Sequence, residues 1–124
     1  MNILIDIGNA LMTEAVQQLL IKNGYENVVT QNQSSNDFVP DAVLADIGAL
    51  NQALFTRYPK AKVLLMDTGV DEEKIIATLL SYKIHGVLSP HTEVHLFKKA
   101  LKVVSEGQIW IDNHTVKAVL HGSG

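Results

Sequence analysis

Short apolar runs alternate with segments of helical period along this chain, and that alternation limits the possible folds more than any other feature. The runs are Ile3-Leu4-Ile5-Asp6-Ile7, Asn27 to Thr30, Ala42 to Asp46, Val63 to Asp67 and Val87 to Ser89. Strands one, three and four are apolar on both faces, which places them inside a sheet covered on both sides. A first helix is predicted from Ala10 to Lys22, with Leu11, Ala15, Val16, Leu19 and Leu20 on one side and Gly24 as its left-handed cap. The polar stretch Gln31 to Asn36 reads as a loop leading into a weak second helix near Asp37-Phe38. Further helices are expected from Leu50 to Tyr58, stopped by Pro59, and from Asp71 to Tyr82, whose opening Asp71-Glu72-Glu73 suits a helix N-terminal dipole. Another runs from Glu93 to Glu106, stopped by Gly107, and a last turn or two lies between Asn113 and Leu120. Five strands and five helices in alternation predict a flavodoxin-like, doubly wound α/β fold. Its parallel sheet has five strands in the order 2-1-3-4-5, because right-handed crossovers leave few alternatives.

The remaining composition narrows the function. A chain of 124 residues, 47% hydrophobic and 19% charged, is one domain with a real core. A net charge of −3 gives no reason to expect direct nucleic-acid binding, which needs clustered Lys and Arg. There is no cysteine, hence no disulfide framework or thiolate metal site. No apolar run reaches the roughly 20 residues that cross a bilayer. Met1-Asn2-Ile3 lacks the basic start of a signal peptide, so a cytoplasmic location is expected, without a membrane partner.

In a doubly wound sheet, sites form at the carboxyl ends of the strands where the winding reverses. Asp6, Ile7, Gly8, Asp46 and Thr68 occupy those positions. Asp46 is the only charged group at the tip of its strand, Thr68 follows strand four, and Ser89-Pro90 ends strand five where a cation would neutralise Asp46. The simplest reading of Asp46 is a carboxylate hydrogen-bonded to loop amides or to Thr68. Asp6 and Asp67 read as strand-end polar residues, and Glu14 as a solvated helix acid. His91 and His95 have the i, i+4 spacing of a shared metal site but no third ligand nearby. Lys98, Lys99 and Lys102 form a mild basic stripe, and Ile109 and Trp110 close the sheet edge. A cofactor-carrying flavodoxin is disfavoured because Ile7-Gly8-Asn9-Ala10 has one glycine and no hydroxyl to cradle a phosphate.

Three segments carry a family resemblance over essentially the whole chain: PDAVLADI at 40–47, HGVLSP at 85–90 and VHLFKKALKVVSEGQIWI at 94–111. They resemble the receiver domains of bacterial two-component response regulators, in the subgroup that carries a LuxR-type DNA-binding domain. The resemblance implies a receiver-like domain over 1–121 and the start of a linker at 122–124. It places Asp46 at the phosphoacceptor position and Thr68, followed by Gly69, at the switch position. The family's pair of Mg²⁺-holding acids corresponds here to Ile7 and Gly8. Asp6 lies one residue early, where strand alternation turns it to the other face, so Asp6 and Asp46 are only weak metal candidates. The family's lysine corresponds to Pro90 and its aromatic switch to Val87.

Phosphoryl transfer to a carboxylate is mostly positioning and charge neutralisation. The resemblance with these departures therefore implies no cofactor, weak or absent Mg²⁺ binding, no enzymatic turnover and little phosphorylation by the usual route. The expected role is signal transduction and transcription regulation by contact. Expected partners are a second copy, through the face of helix four, strand five and helix five with Val87, Leu96, Lys99 and Val103, and a LuxR-type DNA-binding domain beyond residue 124. A histidine kinase partner is left open. The competing readings are a phosphorylatable receiver using Asp46 and a pseudo-receiver sensing a small ligand over Gly8, Asp46 and Thr68.

Overall fold

The computed structural model describes residues 1–111. Five strands are long enough to be read from sequence: β1 (Asn2–Asp6), β2 (Asn27–Thr30), β3 (Ala42–Ala45), β4 (Lys62–Met66) and β5 (Gly86–Leu88). A sixth, β6 (Trp110–Ile111), adds to them. The sheet order is β2-β1-β3-β4-β5-β6, and every pairing is parallel. The expected order 2-1-3-4-5 therefore holds, extended by one short strand at the β5 edge. Ile109 and Trp110 were read as closing that edge; Trp110 does so as a strand residue, while Ile109 is exposed.

Alternation along the strands builds two cores. Ile3, Ile5, Leu44, Leu64 and Leu88 face α1 (Ala10–Lys22) and α4 (Val94–Ser105), from which Leu20, Phe97, Ala100, Leu101 and Val104 pack against them. On the other face Leu4, Val43, Ala45, Val63, Leu65 and Val87 meet α2 (Gln52–Arg57) and α3 (Glu72–Ser81) through Leu54 and Ile75. Central strands buried on both sides must be apolar where they are covered, as β3 is throughout and β4 is from Val63 to Met66. Truncating a fully buried core residue such as Leu64 to Ala would cost on the order of 2–5 kcal/mol.

Helix ends follow local chemistry. The Asn9 side chain caps α1 by accepting from the Met12 amide at 3.0 Å. α1 ends on Gly24, as its sequence predicts, at φ 96°, with the Tyr25 N–H donating back to the Leu20 carbonyl at 3.0 Å. α4 ends the same way at Gly107, φ 88°.

One expectation fails. No helix forms near Asp37-Phe38; that stretch consists of turns. The Gln33 side chain accepts from both the Thr30 N–H (3.1 Å) and Gln17 Nε2 (2.8 Å), and the Phe38 N–H turns back to the Ser35 carbonyl (3.2 Å). Ser, Asn and Asp compete with the helical ladder, and Pro40 disfavours helix at the residue before it. The helix expected from Leu50 to Tyr58 does form, as α2 over Gln52–Arg57. Asp46 opens a 3₁₀ turn over Ile47–Ala49, and Asn51 then caps α2 through the Leu54 N–H at 2.9 Å. Because the crossover from β2 to β3 lacks its helix, the face carrying α2 and α3 has one helix fewer than a fully wound sheet. The last helical turns expected from Asn113 to Leu120, and the 121/122 boundary, lie outside the described residues.

Candidate functional site

The carboxyl edge of β1 and β3 gathers around Asp46. Its backbone is extended, and its side chain reaches in two directions. One carboxylate oxygen accepts the Gly8 N–H at 2.8 Å, and the other accepts the Ala49 N–H at 3.0 Å. The first bond ties the loop after β1 to the end of β3; the second caps the 3₁₀ turn. An added Cβ on Gly8 would meet the Asp46 oxygen at 3.4 Å, an ordinary contact, so the bond does not itself demand glycine. Of the two environments the sequence allowed for Asp46, loop amides or Thr68, these bonds are to amides.

Ile7 is buried in the core shared with α1 and α4, and Gly8 is occupied as an amide donor. Asp6 is half-buried, and its carboxyl is raised above the ordinary carboxylate range, first by burial and then by the negative charge of Asp46. Two like charges repel here. No group of three His, Cys, Asp or Glu side chains is arranged to hold a metal among the described residues. Thr68 is exposed, and no hydrogen bond joins it to Asp46 among the described residues. The turn after β4 is held instead by Asp67, which accepts the Gly69 N–H at 2.9 Å. At the tip of β5, the Ser89 hydroxyl accepts from the His91 N–H at 3.2 Å, and the Ser89 N–H donates to the Thr92 hydroxyl at 3.1 Å. Pro90 sits exposed in that turn, so the strand tip carries no cation.

The remaining expected residues scatter. His95 lies 3.3 Å from exposed Glu93. Leu96 and Val103 are half-buried and Lys99 is exposed along α4. Val87 is 2% exposed and packs into the core on the α2/α3 side, so it contributes no surface to a partner. No helix among the described residues is long and apolar enough to cross a membrane.

Sequence reasoning missed a second feature. Asp6, Gln31, Asn51, Arg57 and Tyr58 help line a cavity of about 180 Å³ beside α2. Arg57 and Tyr58 also line a neighbouring cavity of about 270 Å³ near the start of β3 and β4. The Tyr58 hydroxyl is buried, with no hydrogen-bond partner among the described residues. Nothing in the sequence marks it beyond an aromatic residue just before Pro59.

No family model and no curated protein sequence matches the chain. Solved structures do. The isolated receiver domain of RcsB from Salmonella enterica serovar Typhimurium, in its apo form, is 15% identical with a TM-score of 0.76, covering 98% of each chain. A LuxR family DNA-binding response regulator from Silicibacter pomeroyi is 20% identical with a TM-score of 0.67, covering 88% of this chain and 93% of that one. A putative pilus assembly-related protein from Burkholderia pseudomallei is also 20% identical, with a TM-score of 0.66 and coverage of 87% and 91%. These likenesses establish the class of fold: a flavodoxin-like α/β domain of the kind seen in response-regulator receiver domains.

Proposed function

We propose that this domain is an atypical receiver that transmits signals through protein contacts, in transcription regulation, without a phosphorylation cycle. The observation that carries the reading is the carboxylate of Asp46. Both of its oxygens are engaged by backbone N–H groups, Gly8 and Ala49, while Ile7, Gly8 and Pro90 stand where the resemblance requires two acids and a lysine. An aspartyl phosphate needs a metal and a cation to offset charge on the transferring group. Mg²⁺ seeks octahedral oxygen ligands, and a single engaged carboxylate beside a repelled Asp6 offers little. Asp46 then acts as a structural fastener between two loops.

Output would pass through the face of α3, β5 and α4. Leu96, Lys99 and Val103 lie on α4, and Val94 is 40% exposed at its start. With Val87 packed inside, no aromatic ring is available at that position to swing between buried and exposed states. The face is held in one state and pairs with a second copy or with a DNA-binding domain outside this chain. Sedimentation velocity with and without beryllofluoride and Mg²⁺ tests this reading. An association state unchanged by the phosphoryl mimic is expected. A shift that depends on both Mg²⁺ and Asp46 would overturn it.

A further inference from the structure

The helix missing between β2 and β3 leaves a cavity of about 270 Å³ that has the chemistry of a ligand site. Its walls are apolar: Phe38, Val39 and Pro40 come from the non-helical crossover, and Pro59 and Ala61 from the loop into β4. Val39 is 67% exposed, an apolar side chain left facing solvent at the mouth. Two cations, Arg57 and Lys60, also line it. Neither forms an ion pair with a carboxylate among the described residues, where the single such contact is His95 with Glu93. Arg57 instead stacks over the Tyr58 ring at 5.2 Å and donates to the Asn36 side chain at 3.4 Å. That is a weak bond that an anion would readily replace.

We propose that this cavity binds a small amphipathic anion, an aromatic or short aliphatic carboxylate. Its apolar body lies against Phe38, Val39 and Pro59, and its carboxylate is taken by Arg57 and Lys60. Ligand sites are concave and mostly apolar with a few convergent polar groups. At about 270 Å³ this cavity falls just below the roughly 300–1,000 Å³ of usual ligand pockets, which selects a ligand below drug size. A guanidinium presents paired donors that match a carboxylate. Neither Asp46 nor its partners Gly8 and Ala49 line this cavity, so the proposal does not depend on their chemistry.

The test is an NMR titration of the ¹⁵N-labelled full chain with phenylacetate and, separately, with its neutral counterpart phenylacetamide. Saturable shifts centred on Phe38, Val39 and Ala61 are expected with the acid, and binding at least about tenfold weaker with the amide. The double variant Arg57→Gln/Lys60→Gln should abolish the preference for the acid. Val39→Glu, at an exposed position the fold tolerates, should block binding. Equal binding of acid and amide, shifts centred elsewhere, an absence of saturable shifts, or a double variant that keeps the preference would each overturn the proposal. No phosphate or beryllofluoride enters the titration, so its failure leaves the reading of Asp46 untouched.

Discussion

Replacing Asp46 by Ala removes two charge-assisted hydrogen bonds at once, those from the Gly8 and Ala49 N–H groups. A hydrogen bond to a charged group contributes about 1.5–3 kcal/mol, and loss of an N-cap side chain costs about 1 kcal/mol. Two effects reduce the total. Gly8 is exposed, so water replaces one lost acceptor, and Asp6 is relieved of a repelling neighbour. A net loss of about 1–2 kcal/mol follows. With a urea slope of about 1–3 kcal/mol per molar, the midpoint should fall by roughly 0.3–2 M. Asp46→Asn keeps one acceptor oxygen and should lose about half as much. Urea unfolding followed by far-UV circular dichroism measures both. An Ala variant as stable as the wild type, or more stable, would refute the reasoning. That outcome describes a carboxylate whose main interaction is repulsion from Asp6, as expected of an acid kept for phosphoryl chemistry alone.

The raised carboxyl of Asp6 fixes the sign of a pH effect. The folded state holds that proton more tightly than the unfolded state, so this group's contribution to stability falls as pH rises from its ordinary value of 3.8 through the raised folded value. Asp6→Asn should therefore be more stable than wild type at neutral pH, with the difference vanishing below the ordinary carboxylate range; urea midpoints across pH 3 to 7 check this, and a difference that grows toward low pH contradicts it. The buried Tyr58 hydroxyl has no partner among the described residues, and an unsatisfied buried hydroxyl costs about 1–3 kcal/mol. Tyr58→Phe should leave the melting temperature unchanged or raise it, and a marked drop in a thermal scan would reveal a bond to that oxygen.

The strand order was readable because fully buried parallel strands are continuous apolar runs, as in β3 and β4. The two-residue β6 was not. Its pairing with Gly86 and Val87 depends on a backbone approach in which a Cβ on Gly86 would lie 3.1 Å from the Trp110 carbonyl oxygen, and no local pattern encodes that. The crossover near Asp37 and Phe38 turns instead of winding into a helix, with the Phe38 N–H bonded to the Ser35 carbonyl and Pro40 close behind, and apolar Phe38 and Val39 alone do not reveal that. Asp46 stood out as a charge at a strand tip. Its partners are backbone amides of Gly8 and Ala49, which any residue but proline supplies, so their identity had to come from geometry. The cavity beside Arg57 and Lys60 escaped notice for a related reason. It exists through the absence of a helix, and its walls come from two separate loops.

The central claim is that Asp46 fastens loops and does not accept a phosphoryl group. Incubation with acetyl phosphate and Mg²⁺, followed by intact-mass spectrometry, tests it most directly. The account predicts a mass unchanged from that of the untreated protein and identical behaviour of wild type and Asp46→Asn. A gain of one phosphoryl group in the wild type that is absent from Asp46→Asn would contradict it.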